Sequence, residues 1–254
     1  MSSISGSGER ILAILDLFTE ATPEWTSEEM RVALGYSRPT LYRYLKTLKE
    51  AGFLMALPQS GYMLGPRVTE LDFLSRRSDP LIAAGRAHLV ALTAAHPGVA
   101  SLVRWYGRKL LCVASEDSSP VTLSSYPRGR PMPLARGAIS RAILAWLPKR
   151  DQEALVAEHE AEFAAPRETV LAMLRDTRRD GVAVAWGEVT PGVVGVAAPV
   201  LAADRAPIAA LCLTSDAATM TPARLAAIRD TIRGMASAIS TDLRVDNTDQ
   251  AVNG

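Results

Sequence analysis

Between Gly35 and Gly52 the apolar residues Leu41, Tyr44, Leu45 and Leu48 recur at i, i+3, i+4 and i+7, the spacing of one helix face. Arg38, Thr40, Tyr42, Arg43, Lys46 and Lys49 fill the other positions, and no acid interrupts them before Glu50. Ser37 is a natural N-cap, and Pro39 falls in the first turn, where a missing N–H costs little. The pattern predicts a helix that packs by its leucines and turns a cationic face outward. On composition alone that face is as easily an ordinary solvated surface, so its neighbours decide what it means.

Upstream, Ile11, Leu12, Ile14, Leu15 and Phe18 predict a first helix over Arg10–Thr19. Thr26 and Glu29 form a capping box for a second helix carrying Met30, Ala33 and Leu34, and Trp25 before it is placed to pack as a staple. That helix stops at Gly35. So short an interval before Ser37 implies a sharp helix-turn-helix corner. Downstream, Phe53–Leu57 and Tyr62–Gly65 flank the turn Pro58–Gly61 and read as a hairpin. Three helices and a hairpin make a winged helix-turn-helix, or else a small protein-binding domain; the acid-free cationic face favours DNA. Arg38, Thr40, Tyr42 and Arg43 lie early enough to reach base edges, whereas Lys46 and Lys49 suit phosphate. In the wing, Gln59, Ser60 and Tyr62 either touch the DNA backbone or only form the turn.

Residues 66–79 hold Val68, Leu71, Phe73 and Leu74 before a polar break at Ser75–Pro80, which suggests a linker helix and a domain boundary. A further helix is predicted over Leu81–Ala95. Then the period changes. Val99–Tyr106, Lys109–Ser115 and Val121–Tyr126 read as an antiparallel meander, followed by an irregular loop, Pro127–Arg136. Helices are predicted at Gly137–Leu147, Asp151–Glu160 and Glu168–Asp180, strands at Val182–Trp186, Val193–Leu201 and Ile208–Thr214. A last helix runs from Thr221–Pro222 to about Leu243, with a disordered tail to Gly254. Helices among antiparallel strands give an α+β class.

At 254 residues and 48% hydrophobic, the chain suits two domains with sizeable cores. Its net charge of +1 means that any nucleic-acid footprint is local, as the Arg38–Lys49 face is. Cys112 and Cys212 sit in apolar runs without metal-ligand spacing, which favours buried thiols in a reducing compartment, simplest as the cytoplasm. Neither a signal peptide nor a membrane-spanning run is evident. No nucleophile elbow, P-loop, dinucleotide fingerprint or HExxH is present, His88, His96 and His159 are scattered, and no cofactor or metal is expected.

Taken in order, several stretches resemble the IclR family of bacterial transcription regulators. They are E-R-I-L-A-I-L-D-L-F at Glu9–Phe18, S-R-P-T-L-Y-R-Y-L-K-T-L-K-E-A-G-F-L at Ser37–Leu54, and Y-M-L-G at Tyr62–Gly65. In the second half they are R-P-M-P-L-A-R-G-A-I-S-R-A-I-L-A-W-L-P at Arg130–Pro148 and D-G-V-A-V-A-W-G-E-V-T-P-G-V-V-G-V-A-A-P-V at Asp180–Val200. The resemblance implies a winged helix-turn-helix over 1–65, a linker helix over 66–79, and a GAF-like effector-binding and oligomerisation domain over 80–254, with an antiparallel sheet and flanking helices. It implies a ligand-responsive, sequence-specific regulator without enzymatic activity. Its expected partners are double-stranded operator DNA, a small-molecule effector and a second copy, as a homodimer or a pair of dimers on DNA. The alternatives are a constitutive regulator whose second domain only oligomerises, and a catalytic GAF-like domain tethered to DNA.

By the same resemblance the DNA contacts are Ser37, Arg38, Thr40, Tyr42, Arg43, Lys46, Lys49, Gln59 and Ser60. The effector pocket takes in Ala135, Gly137, Ala138, Trp186, Glu188, Cys212 and Thr214. Departures bear on the ligand. Where similar proteins often have a polar residue or histidine and then a Gly-Lys pair, this chain has Ala135 and Ser140-Arg141. Where an Asp-x-Glu is common before Pro191-Gly192, it has Trp186-Gly187-Glu188. Cys212 and Thr214 stand where small polar residues commonly hold a carboxylate. Fewer polar anchors and an added indole suggest an apolar or aromatic ligand, with Glu188 repelling an anion unless Arg136 or Arg141 compensates.

Overall fold

The computed structural model describes residues 6–58, 61–119, 123 and 126–252, the last eight by their backbone. The chain divides into two compact units, Met1–Ser78 and Asp79–Gly254.

The first unit runs α1 (Ser7–Leu15), β1 (Trp25–Thr26), α2 (Ser27–Leu34), α3 (Arg38–Glu50), β2 (Leu54–Ala56), β3 (Gly61–Leu64) and α4 (Pro66–Ser78). At the start of α2 the capping box is complete. The Glu29 N–H donates to Thr26 Oγ1 and the Thr26 N–H donates to the Glu29 carboxylate at 2.8 Å, a bond that holds this carboxyl below its usual range. Gly35 ends the helix in the left-handed region at φ 66°. Tyr36 follows, buried, with its hydroxyl donating to the Arg10 carbonyl and its ring edge-on to Tyr44. Ile14, Met30, Leu41, Tyr44, Leu45, Leu48 and Leu54 complete the core, so the predicted stripe of α3 is the buried one. Trp25, expected as a staple, packs against the core cluster that includes Met30 and also forms part of a strand. β1 joins the hairpin in the order β1-β3-β2, Trp25 lies opposite Tyr62, and its indole N–H donates to the Leu17 carbonyl at 2.9 Å. Two residues are too few to carry a period. Nor does the polar run Ser75–Ser78 break α4; serine and arginine tolerate a helix, which ends where Asp79 caps the next one and Pro80 takes its first position.

The second unit comprises α5 (Pro80–Ala95), β4 (Val99–Trp105), β5 (Leu110–Asp117), β6 (Pro131–Met132), α6 (Ala138–Leu144), α7 (Lys149–Glu158), α8 (Arg167–Asp180), β7 (Ala183–Trp186), β8 (Val193–Leu201), β9 (Pro207–Asp216) and α9 (Pro222–Val252). Its antiparallel sheet has the order β6-β5-β4-β9-β8-β7. Strand alternation sorts the two faces. Val194, Val196, Val200, Leu211 and Leu213 pack with α5 and α9, whereas Ala197, Ala210 and Cys212 pack with α6, α7 and α8. The strand expected at Val121–Tyr126 falls largely outside the described residues. On its side away from β4, β5 pairs with β6, inside the stretch expected to be irregular, because two residues including a proline give no alternation to read. At the far end α9 continues to Val252, past the expected stop near Leu243 and into the stretch expected to be disordered, since no glycine or proline interrupts it there.

Candidate nucleic-acid interface and ligand cavity

The outward face of α3 gathers the expected DNA contacts along one helix. Tyr42, Arg43, Lys46 and Lys49 are exposed, and Arg38 stands at the first turn. Arg43 lies over the Tyr44 ring at 5.3 Å, and neither it nor Lys49 has an ion-pair partner among the described residues. Arg38 approaches Glu28 at 3.7 Å and Lys46 approaches Glu50 at 3.8 Å. Both pairs are largely exposed, and such pairs contribute little, so either cation can exchange its carboxylate for a phosphate at small cost. Ser37 has N-cap geometry, but its hydroxyl donates to Thr40 Oγ1 at 2.9 Å rather than accepting a helix N–H. That occupies half-buried Thr40. In the wing, Tyr62 is half-buried, its hydroxyl pushed up by burial and then by nearby Tyr42. Gln59 and Ser60 lie outside the described residues.

The second unit holds a cavity on the α6 side of the sheet. Gly137, Ala138, Glu188, Cys212 and Thr214, expected from sequence, all line it. They arrive from three places: the entry to α6, the β7–β8 connection and the end of β9. Ala135 and Trp186 do not line it. Ala135 is buried beside Leu134. Trp186 is 51% exposed, because alternation along β7 turns Ala183 and Ala185 to the cavity side and Trp186 away from it. The indole expected to favour an aromatic ligand is therefore not a wall of this cavity.

Sequence reasoning passed over Leu123, Tyr126, Met132, Ile139, Ala185, Val189 and Val193, which supply most of the apolar lining. Only Ala185 and Val193 had a usable signal, the period of two from neighbouring strand positions. Counted with the open solvent at its mouth the cavity spans about 570 Å³, but the room left inside for the centre of a water-sized molecule is about 70 Å³. Gly137 shapes its entrance. It adopts φ 92°, and a Cβ there would lie 2.9 Å from Val189 Cγ2, so two constraints require glycine.

The charges on the wall are arranged in two ways. Glu188 accepts the Gly137 N–H at 2.9 Å and pairs with Arg141 at 2.7 Å, and Arg141 also donates to the Val184 carbonyl. Arg141 thus supplies the compensation that Glu188 needs. Arg136, exposed at the cavity edge, has no hydrogen-bond or ion-pair partner among the described residues. Cys212 is 2% exposed, and burial pushes its thiol up to about 12, so it faces the cavity as a neutral group. Cys112 is also free and buried, its thiol raised by the same desolvation. Among the described residues no cluster of potential metal ligands occurs, and no helix is long and apolar enough to cross a membrane.

Comparison with known proteins bears on both units. Residues 80–241 match the family described as bacterial transcriptional regulator IclR C-terminal, and residues 7–58 match the IclR helix-turn-helix domain. The HTH-type transcriptional regulator XynR of Escherichia coli (strain K12) is 28% identical over 243 residues, covering 93% of this chain and 96% of XynR. KipR of Bacillus subtilis (strain 168), also an HTH-type regulator, is 23% identical over 234 residues, 90% of this chain and 93% of KipR. Among solved structures, a putative IclR regulator from Silicibacter sp. TM1040 superposes with TM-score 0.81 at 24% identity, covering 93% of this chain and 95% of that one. An IclR homologue from Microbacterium hydrocarbonoxydans, complexed with 4-hydroxybenzoate, gives 0.76 at 17% identity, covering 94% and 100%. At such identities these two structures speak for the fold, while the matched domains and the named regulators speak for the role. With both halves matched in order, and with relatives that are transcription regulators rather than enzymes, the chain belongs to the IclR family of transcriptional regulators.

Proposed function

We propose that this regulator binds operator DNA sequence-specifically as a homodimer and changes its affinity when a small organic or aromatic acid enters the cavity of the second unit. The observation that carries the ligand class is Arg136, a cation without a partner among the described residues, at the edge of a mainly apolar cavity. Such a site matches a molecule with one acid group and an apolar body. The 4-hydroxybenzoate complex of the Microbacterium homologue supports the same class. In a dimer, α3 of each protomer enters the major groove, and operator symmetry mirrors protein symmetry. A ligand acts only through differential affinity for two arrangements of the dimer, and α4 together with α5 is the element that carries the change.

The test uses the full chain and an operator selected from random duplexes, with fluorescence anisotropy at fixed salt. Arg43→Ala is expected to lower operator affinity about tenfold, within the ~1–3 kcal/mol of a base-reading arginine, and to leave acid binding intact. Arg136→Ala is expected to do the reverse. An operator affinity that no bound acid changes would leave a constitutive regulator.

A further inference from the structure

The cavity wall already contains an acid group with its partners in place. Glu188 holds the Gly137 N–H through one oxygen and the Arg141 guanidinium through the other. Arg141 is the more buried partner and is steadied from a second side by the Val184 carbonyl. A backbone N–H beside a fixed guanidinium is what a carboxylate ligand needs, since charge-assisted hydrogen bonds are the strong ones. Glu188 belongs to the short β7–β8 connection, whose Gly187, Val189 and Thr190 line the cavity with it. Left-handed glycines bound this strap, Gly187 at φ 62° and Gly192 at φ 78°. Val189 presses on Gly137 with no room for a Cβ between them.

We infer that Glu188 is a tethered competitor for the ligand's acid group: a monocarboxylate takes the Gly137 N–H and Arg141 only as Glu188 leaves them and the strap lifts. This rests on the acid-site reading above, and adds which donors receive the acid and which residue yields. Joint occupancy is disfavoured, because two carboxylates on one guanidinium repel each other in a partly desolvated site. Arg136 stays beside the incoming acid and offsets the second charge. Apparent affinity for an acid is then the intrinsic affinity scaled by the fraction of molecules whose strap is open. A neutral ligand of the same shape gains nothing from that opening.

Calorimetry on the full chain, with benzoate and 4-hydroxybenzoate against benzamide, tests this. Glu188→Gln and Glu188→Ala, each verified by a cooperative melt, are expected to bind both acids at least about tenfold more tightly than the parent, as if the closed strap held roughly nine molecules in ten. Benzamide is expected to show no such gain. Acids that bind the variants no tighter than the parent, or a benzamide gain equal to that of benzoate, overturn the competitor role while the acid site stands. Failure of either acid to bind any of the three proteins removes the acid site and the competitor with it.

Discussion

The cationic face of α3 and the cavity of the second unit are the two surfaces proposed to meet another molecule, and they are assembled in opposite ways. The α3 face is continuous in sequence: its side chains leave one helix at fixed intervals, and a separate stripe of the same helix holds it in place. The cavity is assembled from distant segments, with the Glu188 carboxylate bonded to an N–H 51 positions away and to a guanidinium 47 positions away. On α3, therefore, the residues proposed to contact DNA and the residues that stabilise the fold are different residues. Around the cavity they are the same ones: Gly137 is wall, corner and hydrogen-bond donor at once. Function should separate from stability in the first region and not in the second.

The largest expected effect sharpens the first half of that contrast. Leu45 is 1% exposed in a small core, and Leu45→Ala should destabilise by about 2–5 kcal/mol, combining lost transfer free energy with a residual cavity. Tyr42, one turn earlier on the outward face and 55% exposed, should cost less than about 0.5 kcal/mol as alanine. Urea unfolding followed by circular dichroism measures both. Equal costs would mean that α3 does not divide into a packing stripe and a contact face.

At the cavity a smaller but more specific effect is expected. Gly137→Ala imposes a positive φ on a side chain, worth about 1–3 kcal/mol, and also forces Val189 away. Gly129 has a similar φ of 83° with nothing within 4 Å of its missing Cβ, so Gly129→Ala carries only the backbone part. Thermal melts of the two variants isolate the contact by difference. If they fall together, the strap does not press on Gly137, and the fusion of wall and fold in this region loses its best example.

The same contrast explains how far the sequence could be read. Leu41, Tyr44, Leu45 and Leu48 announced their burial because a helix converts spacing into direction without help from the rest of the chain. Cys212 and Thr214 were placed in the pocket by the family resemblance, and the strand period puts both on one face of β9. Trp186 was misassigned by one position, enough to send it to the other face of the sheet. Tyr126, Met132 and Val189 carried no signal, since nothing local says that an irregular segment will close over a sheet. Arg141 was visible only as one candidate to balance Glu188; what selects it over Arg136 is the Val184 carbonyl, fixed by the position of β7 beside α6. The two-residue strands β1 and β6 were missed because pairing, rather than pattern, creates them.

The smallest effect asks whether dependence on distant contacts extends to the other face of the same sheet. His96 follows α5, and its Nε2 meets Thr231 Oγ1 of α9 at 3.1 Å, across 135 positions. Burial, and then the charge of Arg224, hold this imidazole below its ordinary 6.5. The unfolded chain therefore takes up the proton first as pH falls. The stabilising contribution is complete above about 6.5 and is lost as pH drops from there through the lower folded value. Melting temperature of the parent should accordingly fall relative to His96→Gln over that interval, by a modest amount because the ring is only partly buried. Parallel melting curves across the interval would show that α5 and α9 meet here without depending on the protonation of His96.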